Sequence, residues 1–313
     1  MAATVPSLEA PEFKDPPAPQ FYSASEFEGH YGSGMLSPYG EQFLWIIQSL
    51  VESNGVVDGA TLLSSLVAWA QTYTGRPDSA LKAVVEAVTK HEEPFPTAGA
   101  NDDQAHCFLK TLPVTCLYAG KPELRDRVEQ VVRVHQNNDT AVAFGVATAL
   151  WLEYILLHGK IPQNDDDWTA IITKDMPKAA QEAWQRAAAT TTDLESLILD
   201  LSHEIMKGKE DSPFYDLAAR SCQLPGSFII PVYLLQKYGD ADDAYVTAIR
   251  QNILGAGDTC SRAILLGGIL GAMGHEPPAS WIEKVNKDTL QQIDNLVEKF
   301  ADMATAMREK DEL

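Results

Sequence analysis

The stretch Gly255-Ala256-Gly257-Asp258-Thr259-Cys260-Ser261 decides how this chain is read. Its glycines free the backbone to turn sharply, and the apolar residues beyond them continue as a helix. An aspartate at such a start either caps the helix or holds a ligand or cation over its outward-pointing amides. Behind the turn, Gly267, Gly268, Gly271 and Gly274 stud the same apolar run. Each glycine costs a helix about 1 kcal/mol relative to alanine, so their number predicts close approach of a neighbouring helix.

Outward from this turn, nearly every segment from Glu41 onward has helical period. Phe43, Leu44, Ile46, Ile47, Leu50 and Val51 make one apolar face, and Asp58 is placed to cap the helix carrying Leu62, Leu63, Leu66, Val67 and Trp69. Pro77 precedes a helix over 80–88. Further helices are predicted over 102–118, 122–136, 139–158, 178–190, 193–207, 227–238, 241–253, 258–273 and 287–308. Asp139 stands near the start of the 139–158 helix and Gly159 where its C-terminal cap belongs. No stretch alternates apolar and polar residues, so no strand is predicted. The class is all-α, a single-domain orthogonal multi-helix bundle without a solenoid repeat. Residues 1–36, with Pro6, Pro11, Pro16, Pro17 and Pro19, read as an extended arm, and 37–313 as the helical domain.

At 313 residues the chain is just past the size at which one core stops growing, roughly 250–300 residues, and no long linker divides it. The apolar run Ala141–Leu157 is interrupted by Glu153 and rich in small residues, which predicts a buried helix rather than a membrane span. A formal net charge of −20 repels phosphate backbones and argues against nucleic acid and against a polybasic membrane anchor. Cys107, Cys116, Cys222 and Cys260 are scattered without paired spacing, which suits thiols in a reducing, cytoplasmic setting. The ending Lys310-Asp311-Glu312-Leu313 has the form of an ER-retention signal. With no secretory segment at the start, it is read as a charged helix end.

The opening turn, together with Phe228-Ile229-Ile230-Pro231-Val232-Tyr233-Leu234-Leu235 and Asp242-Asp243-Ala244-Tyr245, resembles the C-terminal third of ADP-ribosylglycohydrolases. The resemblance spans about 37–285 and is strongest after 220. It implies an all-helical fold, a two-Mg²⁺ site and cleavage of an ADP-ribose glycosidic bond. In that family a Gly-Gly-Asp-Thr-Asp-Thr turn supplies some metal ligands, and an N-terminal Thr-Asp-Asp-Thr segment supplies the others. Asp258 matches the first aspartate of the turn, but Cys260 stands at the second and Ser261 at the second threonine. A thiol is a soft ligand and a poor substitute for a carboxylate on Mg²⁺. Ser37-Pro38-Tyr39-Gly40-Glu41-Gln42 occupies the place of the N-terminal segment, and Glu41 is its one acid. The implied Mg²⁺ site is thus reduced to Glu41, Asp258 and Ser261, holding a single ion or none.

Pro11-Glu12-Phe13, Ser37–Gln42, Gly99-Ala100-Asn101-Asp102-Asp103-Gln104-Ala105, Gln136-Asn137-Asn138 and Ser221-Cys222-Gln223-Leu224-Pro225-Gly226 resemble a narrower branch, that of selenoprotein J and the J-type lens crystallins. Relatives there begin with a further Gly-Asp-containing helix, so the branch implies either a chain shortened at its start or a start codon assigned too late.

Other residues carry two readings each. Asp102 and Asp103 either cap a helix or replace a cation ligand. His135 resembles the family's Thr-His segment at a helix junction, and is either a core histidine or a substrate contact. Asn137 and Asn138 either contact a ribose or form the turn their side chains favour. Gly257 is placed to offer an amide to a pyrophosphate. Cys260 in a first helical turn is either a reactive thiolate or a packed, inert thiol. Three functions follow: a hydrolase with ADP-ribose as ligand and Glu41 and Asp258 on the metal, a noncatalytic crystallin-like or ligand-sensing descendant, and thiol chemistry at Cys260.

Overall fold

Short polar side chains set where the helices begin. In the computed structural model, which describes residues 34–161, 222–224, 226–254 and 258–311, Ser37 Oγ accepts the Gly40 amide at 3.1 Å and starts α1 (Pro38–Glu52). Asp58 Oδ2 accepts from Thr61 at 2.8 Å, the cap the sequence predicts, and starts α2 (Gly59–Thr72). Asp78 Oδ1 accepts from Leu81 at 2.8 Å and starts α3 (Ser79–His91). The chain continues through α4 (His106–Tyr118), α5 (Leu124–His135), α6 (Asp139–His158), α7 (Gly226–Tyr238), α8 (Ala244–Leu254), α9 (Thr259–Ala272), α10 (Ala279–Ile282) and α11 (Lys287–Asp311). These eleven helices are the regular structure of the described residues, in which no strand forms. Two isolated backbone bridges, Ala100 with Gln136 and Gln104 with Gln223, tie loops together.

Helix α4 packs on α1, α5, α6 and α9, so it is the hub of the bundle. Helices α7, α8 and α9 contact one another as a tier, α2 and α3 cover α5, and α11 lies on α1 and α4. The long apolar helix α6 is where burial is deepest. Every side chain from Ala141 to Leu152 is buried, as its sequence predicts, although its length and composition alone match a membrane span. Phe228 of α7 meets Phe144, Phe108 and Trp151 at ring-centroid distances of 5.2, 6.0 and 6.1 Å, joining the tier to the hub. Gly159 ends α6 in the left-handed conformation, with φ of 71°.

Three expectations need correction or limit. Helix α4 begins at His106 rather than 102, because Asp102 spends its carboxylate on the loop before it. Of the studding glycines, Gly267 and Gly268 have the predicted close approach: a methyl would lie 3.2 Å from the Tyr245 hydroxyl of α8 at the first and 3.0 Å from Leu112 of α4 at the second. Gly271 faces open space and Gly274 serves the turn after α9, with φ of 89°, so these two do not mark helix contact. The helices predicted over 178–190 and 193–207, and most of the arm over 1–36, lie outside the described residues.

Candidate functional site

The start of α1, the start of α9 and the loop before α4 meet, and their meeting defines the candidate site. Ser37 hydrogen-bonds Cys260, and Tyr39 lies within the electrostatic reach of Asp258, Asp78, Cys222 and Cys260. The two segments singled out in the sequence therefore converge. Their point of contact is made of neutral groups. Burial, with the carboxylates of Asp258 and Asp78 behind it, raises the Tyr39 phenol far above its ordinary range, so Tyr39 stays protonated. Its ring packs on His106 with centroids 5.1 Å apart.

Glu41 and Gln42 leave α1 in different directions. Glu41 Oε2 accepts the Tyr73 hydroxyl at 2.6 Å, from the end of α2. Gln42 is fully buried and faces α4, donating to Asp78 Oδ2 at 2.6 Å and accepting from Lys110 Nζ at 3.3 Å. Lys110, 1% exposed, donates also to His135 Nδ1 at 2.7 Å and to the His106 carbonyl at 3.4 Å. An ammonium has only donors, so His135 Nδ1 accepts and its proton sits on Nε2, which faces Asp78 Oδ1 at 3.5 Å. His106 lies between two carboxylates, 3.8 Å from Asp78 Oδ2 and 3.8 Å from Asp102 Oδ1. A network of Gln42, Asp78, His106, Lys110 and His135 thus fills the space beside Tyr39.

Burial sets the charges in this network. It pushes Lys110 down to about 8, with Asp78 pulling the other way, and His106 down to about 4. His135 is lowered by burial and by Lys110 beside it. Burial opposes the Asp78 carboxylate, but the two imidazoles and the Leu81 amide outweigh it and hold Asp78 well below the usual carboxylate range. At neutral pH the cluster is an Asp78 anion facing a Lys110 cation, with two neutral imidazoles between them.

The loop 99–105 carries Asp102 and is fixed by close backbone approach. A methyl on Gly99 would lie 2.3 Å from the Arg133 carbonyl, so only glycine fits there. The Ala100 amide donates to the His135 carbonyl at 3.0 Å. Asp102 Oδ1 accepts the Gln104 amide at 3.0 Å and Gln136 Nε2 at 3.0 Å, so it pins the loop instead of capping α4. Asn137 Oδ1 accepts from Arg133 at 2.7 Å. Asn138 Oδ1 caps α6 through Thr140 and Ala141, and its amide donates to Asn101 at 2.8 Å. Both asparagines therefore have structural partners, which favours the turn over the ribose contact.

At the other wall, Asp258 Oδ1 caps α9 through the Ser261 amide at 3.4 Å. Asp258 Oδ2 and Ser261 Oγ are buried without a hydrogen-bond partner among the described residues. Next to them Arg262 is fully buried and donates to Asn252 Oδ1 at 2.7 Å. Burial pushes its guanidinium down to about 10 against the opposing pull of Asp258, and it remains a cation. Cys260 reaches the surface, but the protein crowding its sulfur and the Asp258 carboxylate both raise its thiol, the reverse of a reactive thiolate. Gly257, with Gly255 and Ala256, lies outside the described residues.

Among the described residues, the donors do not fit a two-Mg²⁺ site. Mg²⁺ takes hard oxygens in near-octahedral geometry. Among the described residues no three His, Cys, Asp or Glu side chains are grouped to hold a metal. Asp258 and Ser261 offer one oxygen pair, Glu41 is turned to Tyr73, and Lys110 and Arg262 bring positive charge to the site. Sequence reading missed Gln42, Asp78, His106, Lys110 and Arg262. The signal was present for two of them: His106 and Lys110 stand four residues apart in the run His106–Val114, which is otherwise apolar but for Thr111.

Comparison with known proteins bears on the family and the fold. A family model described as ADP-ribosylglycohydrolase matches residues 3–310. Crystallin J1A of Tripedalia cystophora is 25% identical over 297 residues, covering 90% of this chain and 82% of that protein. Crystallin J1B of the same organism is 24% identical over 271 residues, covering 81% and 76%. A solved structure described as an ADP-ribosylglycohydrolase-related protein complex superposes with a TM-score of 0.55 at 16% identity, covering 87% of this chain and 82% of that one. Its likeness concerns the fold.

Proposed function

The chain belongs to the ADP-ribosylglycohydrolase family, and from that premise we propose that it is a noncatalytic member, kept as an acidic structural or ligand-sensing protein. The observation that carries this reading is Lys110. Its ammonium is buried against Gln42 and His135 and faces Asp78, beside the segment that the family resemblance assigns to metal ligands. Two unit charges 4 Å apart interact by about 4 kcal/mol at an effective dielectric of 20, so a divalent ion brought close to Lys110 or Arg262 meets a repulsion of that order or larger. The Asp78 carboxylate that would attract it is held by the two imidazoles and the Leu81 amide, and Asp258 has the Arg262 cation beside it. The crystallin names of two relatives support a structural role, as does the net charge of −20, which favours solubility at high concentration.

The test is turnover of ADP-ribosylated arginine and serine peptides with Mg²⁺ present. The reading expects no turnover above buffer, and Asp258→Ala indistinguishable from the native chain. Turnover that Asp258→Ala abolishes would overturn it.

One observation favours the hydrolase reading. Among the described residues Asp258 Oδ2 and Ser261 Oγ are buried without a hydrogen-bond partner, and such atoms cost free energy unless a ligand, ion or water meets them. In that reading Asp258 and Ser261 would be the residues to hold a single ion, and the ion would supply Lewis-acid polarisation.

A further inference from the structure

Three helices each turn one face toward a cavity of about 210 Å³, away from the site above. From α1 come Glu41, Trp45 and Gln48, spaced as one helical face requires. Trp69 comes from α2 and Tyr73 from just past its end, and Thr289 and Gln292 come from the first turns of α11. The lining is divided in kind. Trp69 and Tyr73 stack with centroids 4.4 Å apart, and Trp45 tilts against Trp69 at 6.2 Å, which makes one wall aromatic. Gln48, Thr289 and Gln292 are neutral groups that both donate and accept hydrogen bonds.

We propose that this cavity binds a neutral pyranose sugar. The lining offers an ion no spare charge: Glu41, its one charged group, already accepts the Tyr73 hydroxyl at 2.6 Å. A wholly apolar guest would strip water from Gln48, Thr289 and Gln292 and return no hydrogen bond, which costs free energy. A pyranose meets both halves of the lining. Its ring C–H groups carry slight positive charge and suit the electron-rich faces of indole and phenol. Its hydroxyls donate and accept at once, as do side-chain amides and the threonine hydroxyl, so each finds a partner whichever way its proton points. The space falls below the roughly 300–1,000 Å³ of drug-sized pockets, which limits the guest to a single small ring. The proposal is independent of whether the chain hydrolyses anything.

Indole N–H spectra of the full, isotope-labelled chain, titrated with methyl β-D-glucopyranoside and methyl β-D-galactopyranoside, test it. At least one glycoside is expected to shift the Trp69 indole resonance saturably, that resonance being assigned by its loss in Trp69→Phe. Gln292 is exposed on α11, so Gln292→Ala leaves the fold intact. It is expected to weaken the bound glycoside about fivefold, the worth of a hydrogen bond. Cyclohexylmethanol keeps a six-membered ring and one hydroxyl, and is expected to bind severalfold more weakly and to ignore Gln292→Ala. No saturable shift with either glycoside, equal or tighter binding of cyclohexylmethanol, or unchanged glycoside affinity in Gln292→Ala overturns the proposal.

Discussion

Lys110 Nζ lies 2.7 Å from His135 Nδ1, and both side chains are buried. The pair joins α4 to the end of α5, and through Gln42 it reaches α1. A cation so placed affects stability in a way that pH reveals.

The folded state lowers Lys110 from 10.5 to about 8. Between those two values the unfolded chain binds the extra proton, so this group makes stability rise with pH over that window. Cysteines and Tyr39 are raised and act in the opposite sense at high pH, so the comparison must be made against Lys110→Met. Denaturant unfolding of both proteins from pH 7.5 to 10.5 is expected to show the native chain gaining on the order of 3 kcal/mol relative to the variant. A constant difference across that range contradicts the assignment.

His106 is lowered from 6.5 to about 4. The unfolded chain protonates first as pH falls, so stability is lost between pH 6.5 and about 4. His106→Asn removes the group that titrates and is expected to flatten this slope while lowering stability near neutrality by 1–3 kcal/mol, roughly the cost of a core polar change. Asp78, held low, adds its own loss only below the usual carboxylate range. Equal acid slopes in the two proteins sink the idea.

Gly99→Ala places a methyl 2.3 Å from the Arg133 carbonyl. Loop 99–105 must shift off the end of α5, taking Asp102 away from Gln136. The expected cost is about 2 kcal/mol or more by chemical denaturation, within the range for a blocked backbone approach. Hydrogen exchange at Ala100 and Gln104 should accelerate with it. Unchanged protection of both amides speaks against the loop being fixed at Gly99.

Cys260 is exposed but its thiol is raised. Iodoacetamide at pH 7.5 is expected to label it more slowly than an unfolded-chain cysteine, with the rate climbing only at higher pH than in the unfolded chain. Faster labelling than in the unfolded chain restores the thiol-chemistry reading.

The bundle was legible because its signals are local. Asp58 and Gly159 announce helix ends within four residues of the backbone groups they serve, and the period of α1 or α2 is visible in one window. The glycines of α9 were legible only in part, since Gly268 meets Leu112 from a helix some 150 residues away and Gly271 meets nothing. The site was less legible still. Glu41 finds Tyr73 across 32 residues, Lys110 finds Gln42 across 68 and His135 across 25. Glu41 and Gln42 are neighbours in sequence, but the helix turns them about 100° apart, toward different partners. No spacing rule ranks one above the other. What the sequence did carry was a lysine inside an apolar helix, a cost that implies a buried partner.

Whether the buried cations Lys110 and Arg262 exclude a metal is tested most directly by calorimetric titration with Mg²⁺ after treatment with EDTA, with and without ADP-ribose. The account predicts no binding heat and no change in melting temperature at millimolar Mg²⁺. Stoichiometric Mg²⁺ binding that disappears in Asp258→Ala would contradict it.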